Sequence, residues 1–196
     1  MESDDLPFKK LKKLLEGDHL HISLQLRVAS MYMIIYEDLR DTIEQRVTGF
    51  FANDWELVDG KLLPTELSEE YRTLLRGKSK FKACRDFLRE FGATSSEDEE
   101  FIVKFISYRG EVAHRLYWIM LDDNEPELDL EMLIQALSLS VKIERWWIKN
   151  IELPTNPDFD GIDVSLDEIE PGRHLFLRQL IRVAFQDVLD ASESRV

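Results

Sequence analysis

The sequence predicts an all-α fold, an antiparallel helical bundle with one short β-hairpin near residues 55–63. Three observations carry this expectation. Apolar residues recur at helical spacing through most of the chain, most regularly at Phe101, Phe105, Tyr108, Val112, Leu116 and Ile119. Gly17, Gly77 and Gly92 each follow the last residue of such a segment, where a helix ends in a left-handed residue. Asp59-Gly60, flanked by Trp55, Leu57, Leu62 and Leu63, is a hairpin signal inside an otherwise helical pattern. The 196 residues read as a single domain with its core in about 20–150 and the C-terminal loop and helix, 152–190, packed on it.

In chain order, Asp5-Leu6-Pro7 resembles a helix start, and Gly17 closes the basic stretch that follows. Residues 20–50 begin with alternation (Leu20, Ile22, Leu24, Leu26, Val28) and continue with helical spacing through Met33, Tyr36, Leu39, Ile43 and Val47. No turn residue separates the two patterns, so one long helix is expected. Residues 51–64 read as a loop holding the hairpin, followed by short helices over about 66–76 and 79–91. Ser96-Glu-Asp-Glu99 spells a capping box that starts a helix running to Leu121. Asp122 to Pro126 breaks the chain before a strongly apolar helix over about 128–150. A proline-bounded loop, 152–171, leads to a last helix from about Arg173 to Asp190.

Charge narrows the function classes. With 25 basic against 39 acidic residues the net charge is −14, which argues against avid phosphate-backbone binding over a wide face and leaves room for a local cationic site. The single Cys84 excludes an intrachain disulfide framework and fits a reducing compartment. No run reaches the ~18 apolar residues of a membrane span, and the acidic N-terminus lacks the apolar core of a secretory signal. A cytoplasmic protein with no membrane association is the expectation.

The informative residue is Arg109. On the 97–121 helix it aligns with a second apolar stripe of Ile102, Ile106, Ala113, Tyr117 and Met120, opposite a face of Glu100, Lys104, Glu111, Arg115 and Asp122. A guanidinium in apolar ground needs an acidic partner, because desolvating it alone is costly. His114 follows five residues on, which turns it about 140° away on a straight helix. The two converge on one ligand only if two copies of the helix face each other across a two-fold axis. Gly110, one turn from His114 on a strip with Ser107, leaves the backbone open to close approach. Residue types alone favour a plain pairing of Arg109 with one of the many carboxylates and a half-exposed histidine at an interface.

The run YRGEVAHRLYWIM, together with the preceding SKFKACRDFLREFGATSSEDEEFIVKFIS, resembles the HEPN family (higher eukaryote and prokaryote nucleotide-binding domains), whose signature is Arg, four to six residues, then His. The resemblance extends over at least residues 20–150. It implies a homodimer and, in catalytic members, a metal-independent endoribonuclease without a cofactor. Arg109 would then hold the scissile phosphate and stabilise the transition state. His114 would act as general base or acid as the 2′-hydroxyl attacks, giving a 2′,3′-cyclic phosphate and a 5′-hydroxyl. Ser107, Gly110, Glu111 and Tyr117 are auxiliary candidates, and a toxin or defence protein restrained by an antitoxin-like partner is the implied setting. Gly110 stands where catalytic members carry a polar residue, often Asn, and Tyr117 lies three rather than two residues after the histidine. The alternative on the same fold is a non-catalytic interaction or regulatory scaffold.

Other features read as structural. Asn156 to Asp167 matches a calcium loop at five positions, but Asp-Gly turns with Asx hydrogen bonds account for the same residues. His19 and His21 do not share a helical face and form no metal half-site. Trp146-Trp147 read as core. Lys9, Lys10, Lys12 and Lys13 read as a solvated face.

Overall fold

A computed structural model describes residues 9–17 and 19–187. The expected start at Asp5-Leu6-Pro7 and the last residues of the C-terminal helix lie outside that range. The protein is mostly helical with one two-stranded antiparallel sheet. The order is α1 (Lys9–Leu15), α2 (Leu20–Phe50), β1 (Ala52–Val58), β2 (Lys61–Leu67), α3 (Glu69–Leu75), α4 (Lys80–Glu90), α5 (Ser96–Leu121), α6 (Leu130–Trp147), α7 (Leu153–Thr155) and α8 (Gly172–Ala184). No helix among the described residues is long and apolar enough to cross a membrane.

Helix α2 is the axis of the fold, and α4, α5 and α6 all pack on it. Its 31 residues are one uninterrupted helix, so the alternating opening at Leu20–Val28 yields to the absence of any breaker. Tyr32, Ile35, Leu39, Ile43 and Val47 recur every three or four residues and are buried to 2% exposure or less. They meet Ile102, Phe105 and Val112 of α5, Cys84 and Leu88 of α4, and Ala136 and Ile143 of α6 in one continuous core. Phe105 stacks on Tyr32 with ring centroids 5.7 Å apart. Trp147 is buried and Trp146 packs against the core, as their apolar helix predicts.

Caps set the boundaries. Ser68 and Ser79 accept from the N–H groups of Tyr71 and Lys82 and start α3 and α4, and left-handed Gly77 and Gly92 follow their ends. The capping box of α5 is Ser95 with Asp98, one residue earlier than the sequence reading placed it. Glu99 is not available for capping: it is buried, and its carboxylate accepts from Arg85 Nε at 2.9 Å and Nη2 at 2.6 Å. Asp98 also pairs with Lys142. Burial works against ionisation of Asp98, but the hydrogen bonds from Lys142 and the Ser95 backbone prevail and hold its carboxyl below the usual carboxylate range.

The hairpin is longer than the 55–63 expectation. It pairs Val58 with Lys61 next to the turn and Ala52 with Leu67 at its base, with register shifts between Ala52 and Trp55. Asp59 and Gly60 take positive φ (50° and 76°), the two-residue turn that matches strand twist. Beyond Trp147 the helix does not stop at the expected loop. It widens into a π-helical turn over Ile148–Glu152 and continues through α7, which accommodates Pro154 in its first turn, where no backbone donor is needed. The chain then crosses through short 3₁₀ turns to α8. Arg173 of α8 donates to Asp38, which also accepts from Ser140 at 2.7 Å, tying the C-terminal helix to α2 and α6.

Lys9, Lys12 and Lys13 are exposed, as a solvated face requires, and Lys10 alone is partly buried. The backbone N–H groups of Lys9 and Lys10 donate to Asp123. The Lys10 ammonium donates to the carbonyls of Ile119, Asp122 and Glu125 at 2.9–3.1 Å, closing the C-terminal end of α5.

Candidate functional site on helix α5

The orientation of α5 is fixed by its apolar stripe and by Tyr108. Phe105, Val112 and Ile119 are buried, and Phe101, Tyr108 and Leu116 pack partly buried against the core, so the first predicted stripe is the packed one. The Tyr108 hydroxyl accepts from the Asp129 N–H at 3.0 Å, while Tyr32 donates to the Asp129 carbonyl. Both tyrosines therefore anchor the N-cap of α6, and the Tyr108 ring lies 5.3 Å from that of Tyr32. With Tyr108 held inward, Arg109 falls at the seam between α5 and α2, while Glu111, Ala113, His114 and Tyr117 turn outward.

The second predicted stripe is only half correct. Ile102 and Met120 are buried and Ile106 is partly so, but Ala113 and Tyr117 are exposed, Tyr117 at 65%. No neighbouring helix among the described residues covers that flank. Instead Val103, Ser107, Gly110, His114 and Tyr117, spaced four, three, four and three residues apart, form one seam on the outer face. Val103, Tyr117 and the adjacent Trp118 leave more than half of their surface in solvent, with the Tyr117 and Trp118 rings edge to face at 5.1 Å. Gly110 sits in the middle of the seam, and a Cβ built there would meet nothing within 4 Å. Glycine is thus not required by packing within this chain.

Arg109 is held loosely. Its guanidinium lies over the Tyr36 ring at 4.7 Å, a cation–π contact, and Nη2 is 4.0 Å from Glu37 Oε1. The Arg109 side chain is 31% exposed and that of Glu37 57%. Its Nε is buried without an acceptor, which no other arginine shows among the described residues. The plain pairing with an acidic residue is therefore present in a weak form. His114 is exposed and has no hydrogen bond or ion pair among the described residues. Ser107 and Glu111 are exposed as well. Within one chain, Arg109 points to α2 while Ser107, Gly110, His114 and Tyr117 point outward, so the candidate pair does not converge on one ligand.

Tyr36 and Glu37 are the residues sequence reasoning missed. They stand 73 and 72 positions from Arg109, and only the packing of α2 against α5 brings them to it. The acidic loop resolves in favour of turns. The Asn156 side chain accepts from the Asp158 N–H at 3.0 Å, an Asx turn. Asp163 and Asp167 are almost fully exposed and face Lys149 and Arg145. No group of three or more His, Cys, Asp or Glu side chains suited to a metal ion occurs among the described residues, the His19–His21 pair included. No protein-family model, curated protein or solved structure shows significant similarity to this chain.

Proposed function

We propose that the chain is a HEPN-like protein that dimerises along the outer seam of α5 and cleaves RNA without a metal, as a toxin or defence protein held in check by a second protein. The observation that carries this reading is a histidine with no partner among the described residues, on a partly apolar helix face that none of them covers, one turn from a glycine whose Cβ would meet nothing within 4 Å. Two copies of α5 meeting at Ser107 and Gly110 approach closely because neither residue has bulk. The two-fold axis then supplies His114 from one protomer beside Arg109 from its partner. Arg109 is suited to a visiting phosphate because its own-chain pairing is long and half-solvated. In the reaction the 2′-oxygen forms a bond to phosphorus as His114 takes the 2′-hydroxyl proton, and the bond to the 5′-oxygen breaks, that oxygen leaving as a hydroxyl with a proton from solvent.

The test is incubation of purified protein with RNA in EDTA beside His114→Ala and Arg109→Ala. Cleavage by the unaltered chain is expected, with a loss on the order of 10²-fold or more in the His114 variant. No cleavage, or equal cleavage by all three proteins, would overturn the enzymatic reading. A non-catalytic scaffold is favoured by one observation, the cation–π seat of Arg109 on Tyr36 of its own chain. That reading expects Arg109→Ala to alter assembly or stability while RNA stays intact.

A further inference from the structure

Between the hairpin and the helices lies a cavity of about 680 Å³, walled by the last turns of α2, the strand β2, Trp55, Lys80 at the start of α4 and Arg173 of α8. Its composition is unusual for this chain. Four cations line it (Arg46, Lys61, Lys80 and Arg173), with no carboxylate among its described lining residues, although acidic residues outnumber basic ones by 39 to 25. The carboxylates that balance the two arginines come from outside the wall: Glu144 and Glu152 hold Arg46, and Asp38 and Asp41 hold Arg173. These pairs fix the arginines in place and leave the lysines open. Lys80 has only Glu44 at 3.8 Å, and Lys61 is exposed with no ion pair among the described residues.

Trp55 completes the arrangement. Its indole lies against α2 at Gly49, where a Cβ would come within 3.2 Å of the ring, yet it remains 44% exposed. A flat aromatic surface is therefore seated on a helix backbone beside two ammonium groups, that of Lys61 with no ion pair among the described residues and that of Lys80 in a long contact with Glu44 at 3.8 Å. Free cations hold phosphate oxygens, and an aromatic face stacks a planar base.

We infer that this cavity binds a nucleoside phosphate, with the base on Trp55 and the phosphates between Lys61 and Lys80. The site is separate from the α5 seam: Gln45 on its wall is eight residues beyond Glu37 along α2, about 12 Å at helical rise. The inference does not depend on ribonuclease activity. The ligand is either a free nucleotide or the phosphorylated end of an RNA strand.

The experiment is calorimetric titration of the full chain carrying His114→Ala, which keeps RNA uncut, with ATP, inorganic triphosphate and a 5′-phosphorylated RNA hexamer. Saturable binding of ATP or the hexamer at one site per chain is expected, weakened about tenfold or more by Lys61→Glu and by Lys80→Glu. Whichever of the two ligands shows that loss identifies the source. Both lysines are exposed surface positions, and an unchanged circular dichroism spectrum verifies folding of the variants. Absence of saturable binding by either ligand, or equal affinity in both variants, overturns the site. Triphosphate binding as tightly as ATP overturns the role given to Trp55.

Discussion

Among the arginine–carboxylate encounters of helix α5, two stand in contrast: Arg85 with Glu99 and Arg109 with Glu37. Near its N-terminus, Glu99 takes two hydrogen bonds from Arg85, and both side chains are at most 15% exposed. In its middle, Arg109 reaches Glu37 only at 4.0 Å, leans on the Tyr36 ring and keeps a buried Nε without an acceptor. A buried charge that serves the fold is closed on every side, because leaving it open costs several kcal/mol. One that is loosely held can exchange its partner for a ligand at little loss. The first encounter holds α4 to α5, and the second leaves the Arg109 guanidinium only loosely engaged.

The largest expected effect comes from breaking the closed pair. Glu99→Ala strands a poorly solvated Arg85 and lowers stability by about 3–5 kcal/mol. Thermal unfolding followed by circular dichroism should then show a melting temperature lower by roughly 10 °C. Arg109→Ala, between partners that are 31% and 57% exposed, should cost less than about 1 kcal/mol. An equal or larger drop for Arg109→Ala erases the distinction.

The middle of α5 offers a subtler break. Gly110→Ala adds a methyl to open space and a better helix former, so the isolated chain should gain about 1 kcal/mol. If the seam receives a second copy of α5, the same methyl intrudes at the closest approach, and sedimentation should show weaker self-association. A more stable chain with unaltered association removes the close-approach role of the glycine.

The smallest effect concerns acid. The folded Asp98 carboxyl titrates below its unfolded value, because the hydrogen bonds from Lys142 and the Ser95 backbone outweigh its burial. The stability this provides is present above the unfolded value, about 3.9, and is lost as pH falls through the lower folded value. Melting temperature should therefore fall below about pH 4, and Asp98→Asn should make that decline shallower.

Much of this frame was legible in the residues. The absence of any turn residue gave the length of α2 in spite of its alternating start, glycines marked the ends of α3 and α4, and Asp59-Gly60 marked the hairpin turn. The capping register slipped because Ser95 with Asp98 and Ser96 with Glu99 both satisfy the motif, and only the tertiary claim of Arg85 on Glu99 decides between them. Pro154 reads as the start of a loop, yet it falls in the first turn of α7, where a proline is tolerated. At the candidate site, periodicity gave the direction of each side chain but not whether another element stands in that direction. Tyr117 was therefore assigned to an apolar stripe although no helix covers it. Nothing local connects Arg109 with Tyr36 and Glu37.

The clasp between α1 and the exit of α5 has an electrostatic consequence for the seam. Helix carbonyls accumulate roughly half a negative charge at a C-terminal end, and here that end begins at Ile119, five residues past His114. Left bare, it would repel an incoming polyanion. The ammonium of Lys10, spread over three of these oxygens, offsets that repulsion. A residue more than a hundred positions upstream thereby helps set the local electrostatic field around His114.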